Sequence, residues 1–185
     1  MARWRVHGER VVYDSDWVRL ALDEVELPDG RRLDHHVVRT PAPAVGTVVL
    51  DGDGPARAVL LLWRHRFITD TYGYEVPAGR VDPGEDLADA AGRECLEETG
   101  WAPGPLRALT AYHPINGLSD HTFHLFAAEG ATRVGEPVDA YESDRVEWVA
   151  WHDVPGLLAG GQVRDGLSLT ALLWVAAGLA TGPPA

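Results

Sequence analysis

Residues 74–101 read Tyr-Glu-Val-Pro-Ala-Gly-Arg-Val-Asp-Pro-Gly-Glu-Asp-Leu-Ala-Asp-Ala-Ala-Gly-Arg-Glu-Cys-Leu-Glu-Glu-Thr-Gly-Trp, with eight acidic side chains and two basic ones. The stretch from Leu87 to Thr99 lacks proline and predicts a helix. Asp86, with Asp89 three positions on, is a better N-cap than Asp82, because Gly84 would weaken a helix begun there. Gly100 supplies the usual C-terminal stop. At about 100° per residue, Leu87, Ala90 and Ala91 share one face, and Glu94, Glu97 and Glu98 continue that face toward the C-terminus. Three carboxylates, partly buried at the negative end of a helix dipole, need more compensation than Arg93 alone supplies. A divalent cation supplies it. Oxygen ligands without His or Cys suit Mg²⁺ or Mn²⁺ better than Zn²⁺.

Outward from that helix, the 185 residues allow one main core and a small extension. Apolar residues at 45% and charged residues at 24% are ordinary globular usage. A formal net charge of -12 repels a phosphate backbone and disfavours nucleic acid as a partner. All 16 basic residues are Arg, which excludes a Schiff-base lysine and a lysine-dependent phosphate loop. The single Cys95 excludes an internal disulfide and suits a reducing compartment. No signal-peptide core precedes Arg10, and the most apolar run, residues 171–180, is about half a membrane span, so the expectation is a cytoplasmic protein without a membrane partner.

Along the chain, residues 1–40 alternate in short bursts, as at Val18, Leu20 and Leu22, with Pro28-Asp29-Gly30 as turn chemistry. They predict a small β-rich extension, 1–40, ahead of the main domain, 41–185. Thr40-Pro41-Ala42-Pro43 reads as a stiff connector, and Val45–Leu50 with Ala58–Trp63 as a hairpin around Asp51-Gly52-Asp53-Gly54. Leu106–Tyr112, Thr122–Ala128 and Val146–Trp151 are further strands, and Ser168–Leu179 a second helix. The order is mixed α and β.

An acidic helix is usually only a solvated surface, but the spacing here is specific. The segment resembles the signature of the Nudix hydrolases, G-x5-E-x7-R-E-U-x-E-E-x-G-U with U apolar. Gly79, Glu85, Arg93, Glu94, Glu97, Glu98 and Gly100 fill the fixed positions, and Cys95 and Trp101 the apolar ones. The resemblance implies an α/β/α sandwich that attacks a nucleoside diphosphate derivative with a metal-activated water. It implies Glu94, Glu98, Glu97 and the carbonyl of Ala78 as metal ligands, and Arg93 as the arginine that orients the glutamates. Glu85 would brace the loop before the helix.

Glu75-Val76-Pro77-Ala78-Gly79 and the β-rich extension resemble the ADP-ribose and ADP-sugar branch of that family. In that branch Arg66 would contact the diphosphate, and Asp120 would lie on a substrate loop. Glu142, in Tyr141-Glu142-Ser143-Asp144, would be the general base or a further ligand, with Glu97 and Asp144 as alternatives. The extension would help to form a homodimer. Pro114 stands nearer the signature than the proline that marks ADP-ribose hydrolases. The reaction that the resemblance implies is Mg²⁺-dependent cleavage of the diphosphate of a small-molecule substrate, ADP-ribose or a related nucleoside diphosphate sugar. The alternatives are a hydrolase of nucleoside triphosphates or dinucleotides, and a non-catalytic nucleotide-sensing module.

Other residues carry two readings each. His113, His121 and His124 read as structural or substrate contacts rather than a zinc site. Trp17 is a core aromatic or a ring that stacks on a purine. Trp148, Trp151 and Trp174 read as core, and Cys95 as a small buried apolar residue rather than a nucleophile.

Overall fold

The computed structural model describes residues 3–138 and 143–179. Two compact units emerge, one of Met1–Pro43 with His113–Thr122 and the other of Ala44–Tyr112 with Phe123–Ala185. The larger unit is an α/β sandwich. Its central strands are β4 (Ala44–Asp51), β5 (Ala58–Arg66), β9 (Arg107–Tyr112), β10 (Phe123–Glu129) and β12 (Arg145–Ala150), in the order β12-β5-β4-β10-β9. Helix α1 (Leu87–Thr99) covers one face, and α3 (Gly166–Ala176), preceded by the short α2 (Val154–Ala159), covers the other. Alternate side chains of β4 serve the two faces. Val45 packs with Ala90 and Ala91 and Val49 with Cys95, whereas Val48 and Leu50 pack with Leu167, Ala171 and Leu172. Strands buried on both sides explain the near-continuous apolar runs in β4 and β5.

The β4–β5 hairpin forks. Only Leu50↔Val59 and Asp51↔Ala58 pair next to the turn. Beyond them β6 (Thr71–Glu75) pairs with β5, β7 (Ala78–Arg80) pairs with β4, and residues 75–78 fill the opening. The Thr47 N–H donates to the Pro77 carbonyl at 3.0 Å, and the Val76 N–H to Ser168 Oγ at 3.0 Å. Two short strands, β8 (Trp101–Pro103) and β11 (Ala131–Arg133), pair separately.

The smaller unit is an antiparallel sheet of β1 (Arg5–Asp14), β2 (Arg19–Glu26) and β3 (Arg32–Arg39). The Pro28-Asp29-Gly30 turn closes with the Leu27 N–H on the Arg31 carbonyl, and Gly30 at φ 85°. The buried phase of β2 is Ala21, Asp23 and Val25, while Leu20 and Leu22 of the apolar alternation are half-buried. Residues 113–122 join the edge of this sheet, the Val38 N–H donating to the Leu118 carbonyl at 2.8 Å. Arg39 neutralises the buried Asp23 at 2.5 Å.

Helix α1 has the expected limits, with Asp86 as N-cap accepting from the Ala88 N–H and Gly100 left-handed at φ 74°. The last helix begins two residues earlier than the sequence predicts, because Asp165 caps it by accepting from the Ser168 N–H. Trp151 starts a 3-10 turn instead of ending β12. Trp148, Trp151 and Trp174 pack against the core, and Cys95 is buried. Trp17 is 75% exposed, so its reading as a core aromatic is corrected. Among the described residues no helix is long and apolar enough to cross a membrane.

Candidate active site

Helix α1 turns Ala90, Ala91 and Cys95 to the sheet and carries its glutamates along the adjoining edge. Arg93 is the hub of one cluster. It donates to both oxygens of Glu85 at 2.8 and 2.9 Å, to Glu94 at 2.8 Å, to Glu97 at 2.9 Å and to the Arg80 carbonyl at 3.0 Å. These carboxylates raise the Arg93 pKa further above its already high value. In return the Arg93 guanidinium, helped by the Asp82 N–H, draws Glu85 down to about 2. Glu85 therefore joins the loop before α1 to the helix.

Glu98 belongs to a second cluster and is 4% exposed. Its Oε1 accepts from Arg64 Nη2 at 2.6 Å and its Oε2 from the Ala78 N–H at 2.8 Å. Burial pushes its pKa up to about 7, against the pull of Arg64 and of that N–H. Arg64, itself 3% exposed, also lies 3.9 Å from Glu75. Glu75 accepts from Arg66 Nε and Nη2, the shortest contact being 2.6 Å, and this raises the Arg66 pKa. The row Glu98–Arg64–Glu75–Arg66 alternates in charge from the helix to the mouth of a cleft of about 580 Å³.

Glu94 and Glu98 meet β7 at adjacent residues. The Glu94 carboxylate lies against the α-carbon of Gly79, where any Cβ would overlap it, and Glu98 is bonded to Ala78. The peptide between Ala78 and Gly79 thus lies beside both carboxylates. Among the described residues, no three acidic, thiol or imidazole groups already converge as a ligand set. Glu94 and Glu97 turn to Arg93, and Glu98 to Arg64. The donors nevertheless fit a hard divalent cation: oxygen atoms only, a cradle kept open by a glycine, and a buried carboxylate whose ionised form needs more positive charge nearby.

The structure brings Glu94, Glu97, Glu98, Arg93 and Ala78 together, with Arg66 at the cleft. Asp120 lies in the smaller unit, where it accepts from the Thr40 N–H at 3.1 Å and sits 3.6 Å from Arg39. Trp17 lies in that unit too, in the bend before β2. Glu142 lies outside the described residues, and the neighbouring Asp144 N–H donates to the Trp63 carbonyl at 2.9 Å. Sequence reasoning assigned no role to Arg64, Glu75 or Arg164. Arg64 had a signal: at period two it continues the buried positions Leu60 and Leu62 of β5, and a charge there needs a partner.

Comparison with known proteins identifies the family of the chain. The NUDIX domain model matches residues 40–171, and the nucleoside diphosphate sugar hydrolase N-terminal domain model matches residues 4–38. The chain is 38% identical to the CMP-5'-(N-acetyl-N-hydroxy-3-aminopropyl)phosphonate hydrolase of Streptomyces rubellomurinus, over 98% of this chain and 87% of that protein. It is 26% identical to the ADP-ribose pyrophosphatase of Bacillus subtilis, over 89% of this chain and 88% of that one. The fold is similar to that of a crystal structure described as an ADP compounds hydrolase, with a TM-score of 0.81 at 19% identity, covering 96% of this chain and 94% of the other.

Proposed function

The chain belongs to the Nudix hydrolases, a family that generally uses a divalent metal ion, and from that premise we propose a Mg²⁺-dependent pyrophosphohydrolase that cleaves ADP-ribose or a related nucleoside diphosphate sugar. The observation that carries this reading is the pair Glu94 and Glu98, set against the Ala78–Gly79 peptide and held by two separate arginines. When bound there, Mg²⁺ supplies charge neutralisation to the diphosphate and acidifies a water. Mg²⁺ is favoured over softer ions because the donors are oxygens alone.

The chain's own residues divide the remaining work. Arg93 fixes the rotamers of Glu94 and Glu97, and Arg64 offsets the charge of Glu98. Arg66 presents a guanidinium to the diphosphate. Glu142 accepts the proton of the attacking water, with Glu97 and Asp144 as the nearest alternatives. One P–O bond forms to water and the bridging P–O bond breaks, giving a nucleoside monophosphate and a sugar phosphate. Asp120 and Trp17 are further candidate substrate contacts. The exposed Val6, Val11, Val12 and Tyr13 of β1 favour a homodimer. A cytoplasmic location suits the lone buried Cys95, whose thiol burial pushes up to about 12.

A second reading is favoured by the relative at 38% identity: a nucleoside monophosphate joined to a phosphonate, an anhydride of the same P–O–P form. The test is a hydrolysis screen with and without Mg²⁺ over ADP-ribose, other nucleoside diphosphate sugars, a CMP–phosphonate and nucleoside triphosphates, with products identified. Release of AMP and ribose 5-phosphate supports the first reading. Turnover confined to the CMP–phosphonate selects the second, and turnover confined to triphosphates rejects both.

A further inference from the structure

The cleft beside Glu75 lies between the β5–β6 hairpin and the turn that leads into α3, and it presents Arg66, Thr69, Thr71, Glu75, Arg164 and Asp165. Its position is fixed from both sides. The Tyr74 N–H donates to the Gln162 carbonyl at 2.7 Å, and a Cβ on Gly73 would lie only 3.1 Å from that carbonyl oxygen, so residues 162–164 sit directly against β6. Arg164 is thereby held at the cleft.

The two guanidinium groups differ. Arg66 bonds Glu75 through Nε and Nη2, which leaves Nη1 outside that pair. Arg164 is exposed and makes no ion pair among the described residues. Around them stand the hydroxyls of Thr69 and Thr71, 2.8 Å apart, and Asp165, whose Oδ2 caps α3 while Oδ1 lies outside those bonds. The lining also carries Ile68 and, among the described residues, no aromatic ring, so it lacks an aromatic platform for a nucleobase. It offers cations for a phosphoryl group and hydrogen-bonding groups for sugar hydroxyls.

We propose that this cleft binds the sugar-phosphate half of the substrate, and that Arg164 shares with Arg66 the phosphoryl group that leaves with the sugar. The inference rests on the nucleoside diphosphate sugar reading and adds which half lies where.

Calorimetric titration of the whole chain in Mg²⁺, with ribose 5-phosphate and separately with AMP, tests it. Arg164→Ala should weaken ribose 5-phosphate roughly ten-fold, the worth of one charge-assisted hydrogen bond, and leave AMP within about two-fold. Arg164→Lys should recover part of the loss. Because Arg164 is exposed, both variants should melt as the wild type does. Weakening of AMP alone overturns the proposal, since the cleft would then hold the nucleotide. Equal weakening of both ligands, no change in either, or a wild type that does not bind ribose 5-phosphate overturns it as well. Failure of the underlying reading shows separately, as absence of diphosphate sugar hydrolysis by the wild type.

Discussion

A carboxylate 4% exposed, bonded to one guanidinium and one peptide N–H, is poised between two protonation states. Glu98→Gln keeps the shape and removes the charge, so the rate should fall by at least ~10³ in a folded protein at saturating Mg²⁺. Turnover close to wild type would remove Glu98 from the metal site. The raised pKa carries its own sign. With a folded value of about 7 above the ordinary 4.5, Glu98 favours the metal-free fold fully below the lower value, and that contribution is lost as pH rises through the upper one. A cation needs the ionised form, so the rise in Tm produced by Mg²⁺ should be larger at about pH 8 than at about pH 6. Equal shifts at both pH values would count against the assignment. Gly79 is tested from the other side. Gly79→Ala places a methyl group where the Glu94 carboxylate now lies, and a displacement of about 1 Å there should lower kcat roughly 10²-fold while the fold survives. Unchanged kcat would show that Glu94 is not held by this contact. At this scale the glutamates were legible because their spacing is local to one helix. Glu75 was not, because it acquires its role only when β5 and β6 are laid side by side, and Arg64 showed only as a charge at a buried position of β5, its partner Glu98 lying far along the chain on α1.

The forked hairpin is the element that converts a sheet into a site. Because β6 and β7 enter between β4 and β5, residues 75–78 cross the opening and bring Glu75 and the Ala78 N–H to the level of Glu98. Ser168 locks that crossing from the opposite face, donating to Asp165 at 2.8 Å and accepting from the Val76 N–H at 3.0 Å, with no exposure of its own. Ser168→Ala leaves a buried N–H without a partner and should cost about 1–3 kcal/mol in urea unfolding. A loss within error would mean that water or a small backbone shift replaces the hydroxyl. The sequence carried α1 to the residue, because its cap, its apolar face and its glycine stop are all local signals. It did not carry β6 or β7. Five residues interrupted by Gly73, and three more after Pro77, have no alternation long enough to read, and their pairing is decided by strands far away in the chain. The reversed phase of β2 is equally illegible, since which face of a short strand is buried is decided by what packs on it rather than by its own alternation.

For the whole molecule, the first unit is the part least able to stand alone. A three-stranded sheet that leaves Trp4, Val6, Val11, Val12 and Tyr13 exposed has apolar surface to bury. The intact chain should therefore scatter light as a dimer at micromolar concentration, and removal of residues 1–40 should yield a monomer or a poorly stable protein. A monomeric intact chain would refute this. The large unit raises a question of timing. Its β4–β10 contact is a parallel pair, with Val45 opposite His124, and closing it captures everything between, from the fork through α1 to β9. Loop-closure entropy makes such a pair late to form, after the local hairpins and the helix have assembled. Arg64, Glu75 and Glu98 all sit inside the captured loop, so the charged row can gather while the sheet is still open to solvent and be sealed by the last strand to dock. Substitutions in β10 should then act mainly on how fast the enzyme unfolds, which makes the lifetime of the native state a property of that strand rather than of the helix that carries the chemistry.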